Sequence, residues 1–393
     1  MRLWDKGGEL DARVLEYTAG EDHALDERLV AYDVRASIAH AEMLAAQGLL
    51  GAAERDALRA ALQALAAEHA AGAWHVELAD EDGQTALERR LSARLGAAGG
   101  AIHLGRSRND QVLTALRLYL RDAVGALAAG AQAVAEALGA LAQREGATVL
   151  PGYTHLQQAM PSSVALWAGG FAAELRDDAA GVLATLRRID KSPLGSAAGY
   201  GTPGLPVDRG ATQRALGFAC VHEPVTAVQL SRGKAEAQLL FEIALLMQDL
   251  GRFAADVLLF ATSEFGFVRL PESFTTGSSI MPQKRNPDVF ELIRARSATA
   301  QACLAEALAL CAKLPSGYHR DLQLLKFPLF RGIDLAAATL AILPPAIAAL
   351  EFDAAAIRLD PGIHAAEEAN RLVMSEGIPF REAYRRVAAK LKG

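Results

Sequence analysis

Apolar residues recur along most of the chain at a period near 3.6, the spacing of an amphipathic helix, and few stretches alternate as a strand would. In the segment 33–45 the apolar positions 34, 38, 41, 44 and 45 fall on one helical face. Longer patterns of the same kind cover 108 to about 145 without a proline, 162–190, 226–264, 287 to about 313, and roughly 329–350. Long helices in succession with no strand between them imply a bundle, and helices of this length need partner chains to cover their faces. The expected class is therefore all-α, with short helices and charged turns over residues 1–101 and a small helical cap after Glu351.

The polar interruptions of this pattern carry the candidate chemistry. Residues 277–291, Gly-Ser-Ser-Ile-Met-Pro-Gln-Lys-Arg-Asn-Pro-Asp-Val-Phe-Glu, place a flexible segment, a lysine and a helix start between two apolar helices. Such an insertion is more than a connector and reads as a catalytic loop; Asn286 as N-cap, Pro287 at the first helical position and Asp288 behind it form a consistent start signal. Gly105-Arg-Ser-Arg-Asn-Asp-Gln-Val opens the pattern from 108, with Ser107 a plausible N-cap. The helix N-terminus behind it makes an anion site for Arg108 and Asn109, while an ordinary capped start with a solvated arginine reads equally well from this segment alone. Pro151-Gly-Tyr-Thr-His-Leu-Gln-Gln-Ala-Met-Pro reads as a tight polar connector that sets an imidazole at the end of the bundle. Asp80-Glu-Asp precedes a helix start, where the dipole favours acids, and capping alone accounts for them. Gln323 and Lys326 lie three apart and share a side if their segment is helical. His40 sits within a helical pattern and is assigned a packing or surface role with no chemistry.

Composition narrows the function classes. Alanine and leucine dominate, aromatics are 6%, and 393 residues suffice for a substantial core. A formal charge of -6 argues against a general nucleic-acid binder, while local arginines can still serve a small anionic substrate. Cys220, Cys303 and Cys311 lack metal-ligand spacing and read as reduced core fillers in a cytosol-like compartment, and no histidine motif for a metal occurs. The Gly199–Gly204 glycine pattern matches G-x-G-x-x-G, but no strand precedes it and Pro203 stands where the helix would open, so residues 191–224 read as a structured loop. The start at Met1 to Glu9 lacks a signal-peptide apolar run, and the run 335–350 is 16 residues long and broken by Pro344-Pro345, too short for a bilayer. The expectation is a cytoplasmic protein with no membrane and no nucleic-acid partner.

Four segments, Gly-Arg-Ser-Arg-Asn-Asp-Gln-Val at 105, Gly-Tyr-Thr-His-Leu-Gln at 152, Gly-Ser-Ser-Ile-Met-Pro-Gln-Lys-Arg-Asn-Pro at 277 and Gly-Tyr-His-Arg-Asp-Leu-Gln at 317, closely resemble the argininosuccinate lyase family of the fumarase/aspartase superfamily. The resemblance runs through nearly the whole chain in order. It implies a three-domain all-α lyase: an N-terminal helical domain at 1–105, a central five-helix bundle at 106–352 and a shortened C-terminal cap at 353–393. The implied reaction is reversible elimination of argininosuccinate to arginine and fumarate, with no metal or organic cofactor. The implied assembly is a homotetramer whose active sites are shared between subunits.

By the same resemblance Ser278 is the general base, its alkoxide stabilised by Lys284 and loop N–H groups, and Asn286 holds a carboxylate. Removing a proton next to a carboxylate builds an aci-carboxylate, so preorganised cations and donors suit that chemistry. His155, oriented by Glu291, is the candidate proton donor to the departing guanidino nitrogen, directly or through water. Ser107, Arg108, Asn109 and Thr154 bind the succinyl carboxylates, and Tyr318, Gln323 and Lys326 hold the arginine portion. Three departures stand out. Gln84 replaces a family histidine and cannot titrate; Asp22 stands near a family substrate-contacting serine; and the chain stops at Gly393, soon after 379–384. A lyase of another succinyl-amine and a non-catalytic, crystallin-like structural protein are the competing readings.

Overall fold

The computed structural model describes residues 11–391; the segment Met1 to Glu9 and the end at Gly393, both used above, lie outside the described residues. The fold is all-α. Its longest helices are Arg108–Glu145, Val164–Ala184, Lys234–Phe260, Asp288–Cys311 and Lys326–Ala348. Strands among the described residues form one antiparallel hairpin, Val149–Thr154 with Gln157–Ser163, and two two-residue pairs.

Several boundaries differ from the sequence reading, each for a local reason. The connector at 151–161 is part of that hairpin, turned at His155 and Leu156, which sit at φ 54 and 59. Two successive positive φ values match the twist of paired strands, so the backbone of the turn sets the structure, and helical periodicity cannot register it. The 226–264 pattern breaks into Ala227–Leu230 and Lys234–Phe260 at Gly233, φ 82, where a Cβ would stand 2.1 Å from Cys311 Sγ. Asp208 accepts from the Ala211 amide at 2.9 Å and caps the helix Arg209–Leu216 inside the expected 191–224 loop. Asn286 does not cap the Asp288–Cys311 helix. Its backbone exchanges bonds of 3.0 and 2.8 Å with Thr276, and the Pro287 carbonyl accepts the first helical amides instead. Cys220 is exposed rather than a core filler, because it lies in a two-residue surface strand; Cys303 is buried and Cys311 half-buried.

Pro344 and Pro345 fall inside the Lys326–Ala348 helix rather than breaking it. With the preceding turn, Arg320–Ala348 is long and apolar enough by length and composition to cross a membrane, as is Arg108–Glu145. Of their apolar windows, 56% and 44% are buried inside the protein, as in core helices.

The chain divides into two compact units, Met1–Ala126 with Gly181–Ile243 and Gln301–Asp334, and Leu127–Ala180 with Ala244–Ala300 and Leu335–Gly393. In the first, the face at 34, 38, 41, 44 and 45 packs with Leu58, Leu62 and Leu65 of Ala52–Ala70 and with Leu87 and Leu91 of Gly83–Leu95. Each fully buried leucine contributes about 1.5–3 kcal/mol of transfer free energy, so this cluster holds the helix starts that carry polar side chains. His40 is fully buried there; its Nε2 donates to the Leu104 carbonyl at 2.8 Å, a packing role. In the second unit the core is aromatic. Trp167 stacks on Phe253 with ring centroids 5.4 Å apart, meets Phe171, Phe260 and Phe352 around it, and donates its indole N–H to Asp256 at 2.9 Å. Residues 365–391 add a helical pair joined through Ala369, Ala383 and Val387.

Candidate active site

The polar face of the first unit begins at the start of the Arg108–Glu145 helix. The Asn109 amide donates to Ser107 Oγ at 3.3 Å and the Ser107 amide donates to Asp110 Oδ1 at 2.9 Å, a reciprocal cap that fixes the Ser107-Arg108-Asn109 backbone. Asp110 is buried and takes two further amides, Gly195 at 2.9 Å and Ala197 at 2.8 Å, tying the loop 193–199 to the helix start. Burial outweighs these donors and Arg106, and pushes the Asp110 carboxyl up to about 6. Arg108 donates to Asp82 at 2.8 Å and lies 3.6 Å from Glu81. Asp82 also caps the Gly83–Leu95 helix through the Thr85 amide at 2.8 Å. The acids at 80–82 therefore do more than cap: two of them aim Arg108.

Arg108 and Asn109 line a cavity of about 100 Å³ together with Asp22, Gln84, Arg232, Tyr318, Gln323 and Lys326, among others. The turn Arg320–Leu325 runs into the Lys326–Ala348 helix, so Gln323 and Lys326 share this cavity as their spacing predicts. Gln323 Nε2 donates to the Thr18 carbonyl at 3.0 Å. The Lys326 ammonium is buried between Asp26 Oδ1 at 2.5 Å and Asp22 Oδ1 at 2.9 Å. Burial opposes the charged lysine, but the two carboxylates outweigh it and raise its pKa. Burial, reinforced by the Asp26 charge and opposed by Lys326, drives Asp22 up to about 6. Asp22 thus meets a lysine in this protein. Gln84 is buried with its Nε2 donor lacking an acceptor.

The remaining residues singled out from sequence lie in the second unit. Thr154 ends the first strand of the hairpin and His155 is the first turn residue, both exposed. A histidine at positive φ is a strained conformation, of the kind concentrated at functional sites. Gln158 pins the hairpin, donating to the Arg358 carbonyl at 2.9 Å and accepting from the Asp360 amide at 2.7 Å. The loop 277–285 is closed at its base by the Thr276–Asn286 bridge and flanked by an Arg285–Glu272 ion pair. Ser278 is half-buried; its Oγ accepts from the amides of Met281 at 3.2 Å and Ile280 at 3.4 Å. Donors at those positions stabilise an oxyanion on the serine. Lys284 is exposed, and its backbone amide closes a turn on Met281 at 3.0 Å. Glu291 is exposed in the first turn of Asp288–Cys311.

Arg108, Asn109, Tyr318, Gln323 and Lys326 are thus brought together in one cavity, with Ser107 capping the helix beside them. Among the described residues no hydrogen bond or ion pair joins His155 to Glu291 or Ser278 to Lys284 within one chain, and no group of three His, Cys, Asp or Glu side chains is placed to hold a metal ion. Asp26, Asp110 and Arg232 escaped sequence reading, because each belongs to a helical segment whose pattern looks ordinary and only burial marks it.

Residues 10–302 match the lyase family. The chain is 53% identical over 393 residues to the argininosuccinate lyase of Sorangium cellulosum (strain So ce56), covering 100% of this chain and 91% of that protein. It is 44% identical over 390 residues to the argininosuccinate lyase of Stenotrophomonas maltophilia (strain R551-3), covering 98% and 90%. Among solved structures, an EDDS lyase in complex with formate superposes with a TM-score of 0.81 at 25% identity, covering 97% of this chain and 76% of that one. A fumarate lyase:delta crystallin from Brucella melitensis bound to cobalt shares the fold, with a TM-score of 0.78 at 17% identity, covering 99% and 87%.

Proposed function

Since this chain belongs to the argininosuccinate lyase family, we infer that it catalyses the reversible elimination of argininosuccinate to L-arginine and fumarate, a carbon–nitrogen lyase step of arginine biosynthesis. The single observation that carries the chemistry is the environment of Ser278, whose Oγ faces two backbone amides on a loop closed at its base. A hydroxyl becomes a usable base only when its alkoxide is stabilised, and fixed amides supply that without reorganisation.

In the proposed cycle, Ser278 takes a proton from the methylene one carbon removed from the C–N bond, and the electron pair moves into the carboxylate on that methylene as an aci-carboxylate. Lys284 and Asn286 balance that charge. Expulsion of the guanidino nitrogen then forms the fumarate double bond, and His155, held by Glu291, returns a proton to the nitrogen. Ser107, Arg108, Asn109 and Thr154 hold the succinyl carboxylates, and Tyr318, Gln323 and Lys326 hold the arginine portion. The three-domain division at 1–105, 106–352 and 353–393 accompanies this reading, as does a cytoplasmic homotetramer in which neighbouring subunits complete each site.

The test is ultraviolet detection of fumarate when the purified protein is given argininosuccinate, beside adenylosuccinate and aspartate as competing substrates. Ser278→Ala lowers kcat by about 10²–10⁴-fold, the usual worth of a general base, with KM within a few-fold. Unchanged turnover in that variant removes the base assignment, and preference for another succinyl-amine removes the substrate.

A further inference from the structure

We propose that Gln158 is a positioning residue for the His155 imidazole: its side-chain amide clamps the hairpin to the segment 358–360 and so fixes where that imidazole stands when it returns a proton, a role that rests on the function proposed above. The hairpin needs a clamp. A two-stranded ribbon is marginal on its own, and this one turns on His155 and Leu156 at φ 54 and 59, a strained backbone for residues with side chains. Thr154, His155, Leu156 and Gln157 are all exposed, so burial does little to hold the turn. The register also shifts between Gly152 and Tyr153. Among the described residues, the hydrogen bonds that leave 152–160 for chain outside the hairpin are the two made by Gln158.

The form of the clamp suits glutamine. Its Nε2 donates to the Arg358 carbonyl at 2.9 Å and its Oε1 accepts the Asp360 amide at 2.7 Å; both partners are backbone groups of fixed polarity, so the amide has one orientation. The segment it grips is braced at both ends. Upstream, Glu351–Phe352 pairs with Val268–Arg269, and the Asp353 amide donates to the Phe267 carbonyl at 3.0 Å. Downstream, Asp360 Oδ1 accepts the Gly362 amide at 2.7 Å and Ile363 is buried. Across the hairpin from Gln158, Tyr153 sets its ring against Phe265 with centroids 6.3 Å apart. Without the two clamp bonds the turn is free to shift about the irregular register, and a displacement of about 1 Å at a reacting group costs on the order of 10²-fold in rate. The pairing at 351–352 also holds the stretch that leads into the loop of Ser278, so one piece of chain supports both groups proposed to move protons.

The test follows fumarate formation from argininosuccinate in single turnovers of the intact protein across a range of pH. Gln158→Met, which keeps the length of the side chain and removes both hydrogen bonds, slows that step by about 10–100-fold with substrate affinity within a few-fold of wild type. The deficit is largest at low pH, where an imidazole carries the proton to be given, and shrinks as rising pH removes it. In a His155→Ala background the same substitution costs less than about 2-fold, because the group it aims is gone. Gln158→Asn, too short to reach both partners, shows the same pattern and carries the test if circular dichroism shows Gln158→Met to be unfolded. A Gln158→Met rate equal to wild type overturns the proposal. So does a deficit of the same size at every pH, or one that persists undiminished without His155, since both mark a purely structural role; a His155→Ala protein at the wild-type rate overturns it too. Absent fumarate release by the wild type removes the lyase reading and this proposal together, so the two failures are told apart.

Discussion

Replacing Asp26 by asparagine tests whether the buried lysine of the cavity is held by two carboxylates or needs only one. Asp26 is fully buried, accepts the Lys326 ammonium at 2.5 Å and accepts the Gly83 amide at 3.0 Å. Asparagine keeps an oxygen for Gly83 and removes the charge, leaving the ammonium with Asp22 alone. Removing one partner of a buried ion pair costs about 3–5 kcal/mol, and the retained backbone bond places Asp26→Asn near 3. With an unfolding entropy of about 2.1 cal/mol/K per residue, a chain of 393 residues shifts by about 1.2 °C per kcal/mol, so the calorimetric midpoint falls by roughly 3–5 °C. Lys326→Met costs a similar amount, because two carboxylates are then left together. The double variant buries no ammonium and keeps only Asp22, so its loss falls short of the sum of the singles by about 1–3 kcal/mol, the coupling expected for groups in contact. Additivity within about 0.5 kcal/mol, or an Asp26→Asn midpoint within about 1 °C of wild type, would refute the reasoning.

Gly233→Ala forces a residue with φ 82 to carry a Cβ 2.1 Å from Cys311 Sγ, and it lowers stability by about 2–5 kcal/mol from strain and overlap together. Measured in urea, pairing it with Cys311→Ala restores the overlap part and leaves the strain. Burial, with Arg106 nearby, lowers the His40 pKa to about 3, below the unfolded value of 6.5. The stability His40 confers is therefore present above pH 6.5 and lost as pH falls toward 3. His40→Gln flattens that acid limb, seen by comparing unfolding free energies at pH 7 and 4.5. A steeper limb in the variant would reverse the sign of the argument. Asp110, raised to about 6 by burial, slopes the other way: its contribution is present below the ordinary carboxylate value of 3.8 and lost as pH rises through about 6.

How far the chain is legible as a string depends on the range over which each signal acts. The long helices read correctly because a 3.6-residue period is local, and a face such as 34, 38, 41, 44 and 45 needs only a partner to cover it, which the leucines of Ala52–Ala70 provide. The cap at Ser107 was visible because its donor and acceptor lie within three residues. The hairpin at 149–163 was missed because its register depends on pairing across a turn whose two positive-φ residues are not glycines. Arg232 and Asp26 were missed for a related reason: a charged residue on a helical pattern looks solvated until something covers it.

The sequence by itself determined the helical class, the order of the polar segments, the family those segments resemble and the residue types able to perform a β-elimination. Only the tertiary structure decided that Asp82 both caps a helix and aims Arg108, that Asp22 engages Lys326, and that Arg232 lines the cavity with no carboxylate at ion-pair distance among the described residues. The physical reason is that helix periods and caps are set by neighbours a few residues away. Charge balance at a buried site is set by groups such as Asp26 and Lys326, 300 positions apart, that meet only when the chain has folded.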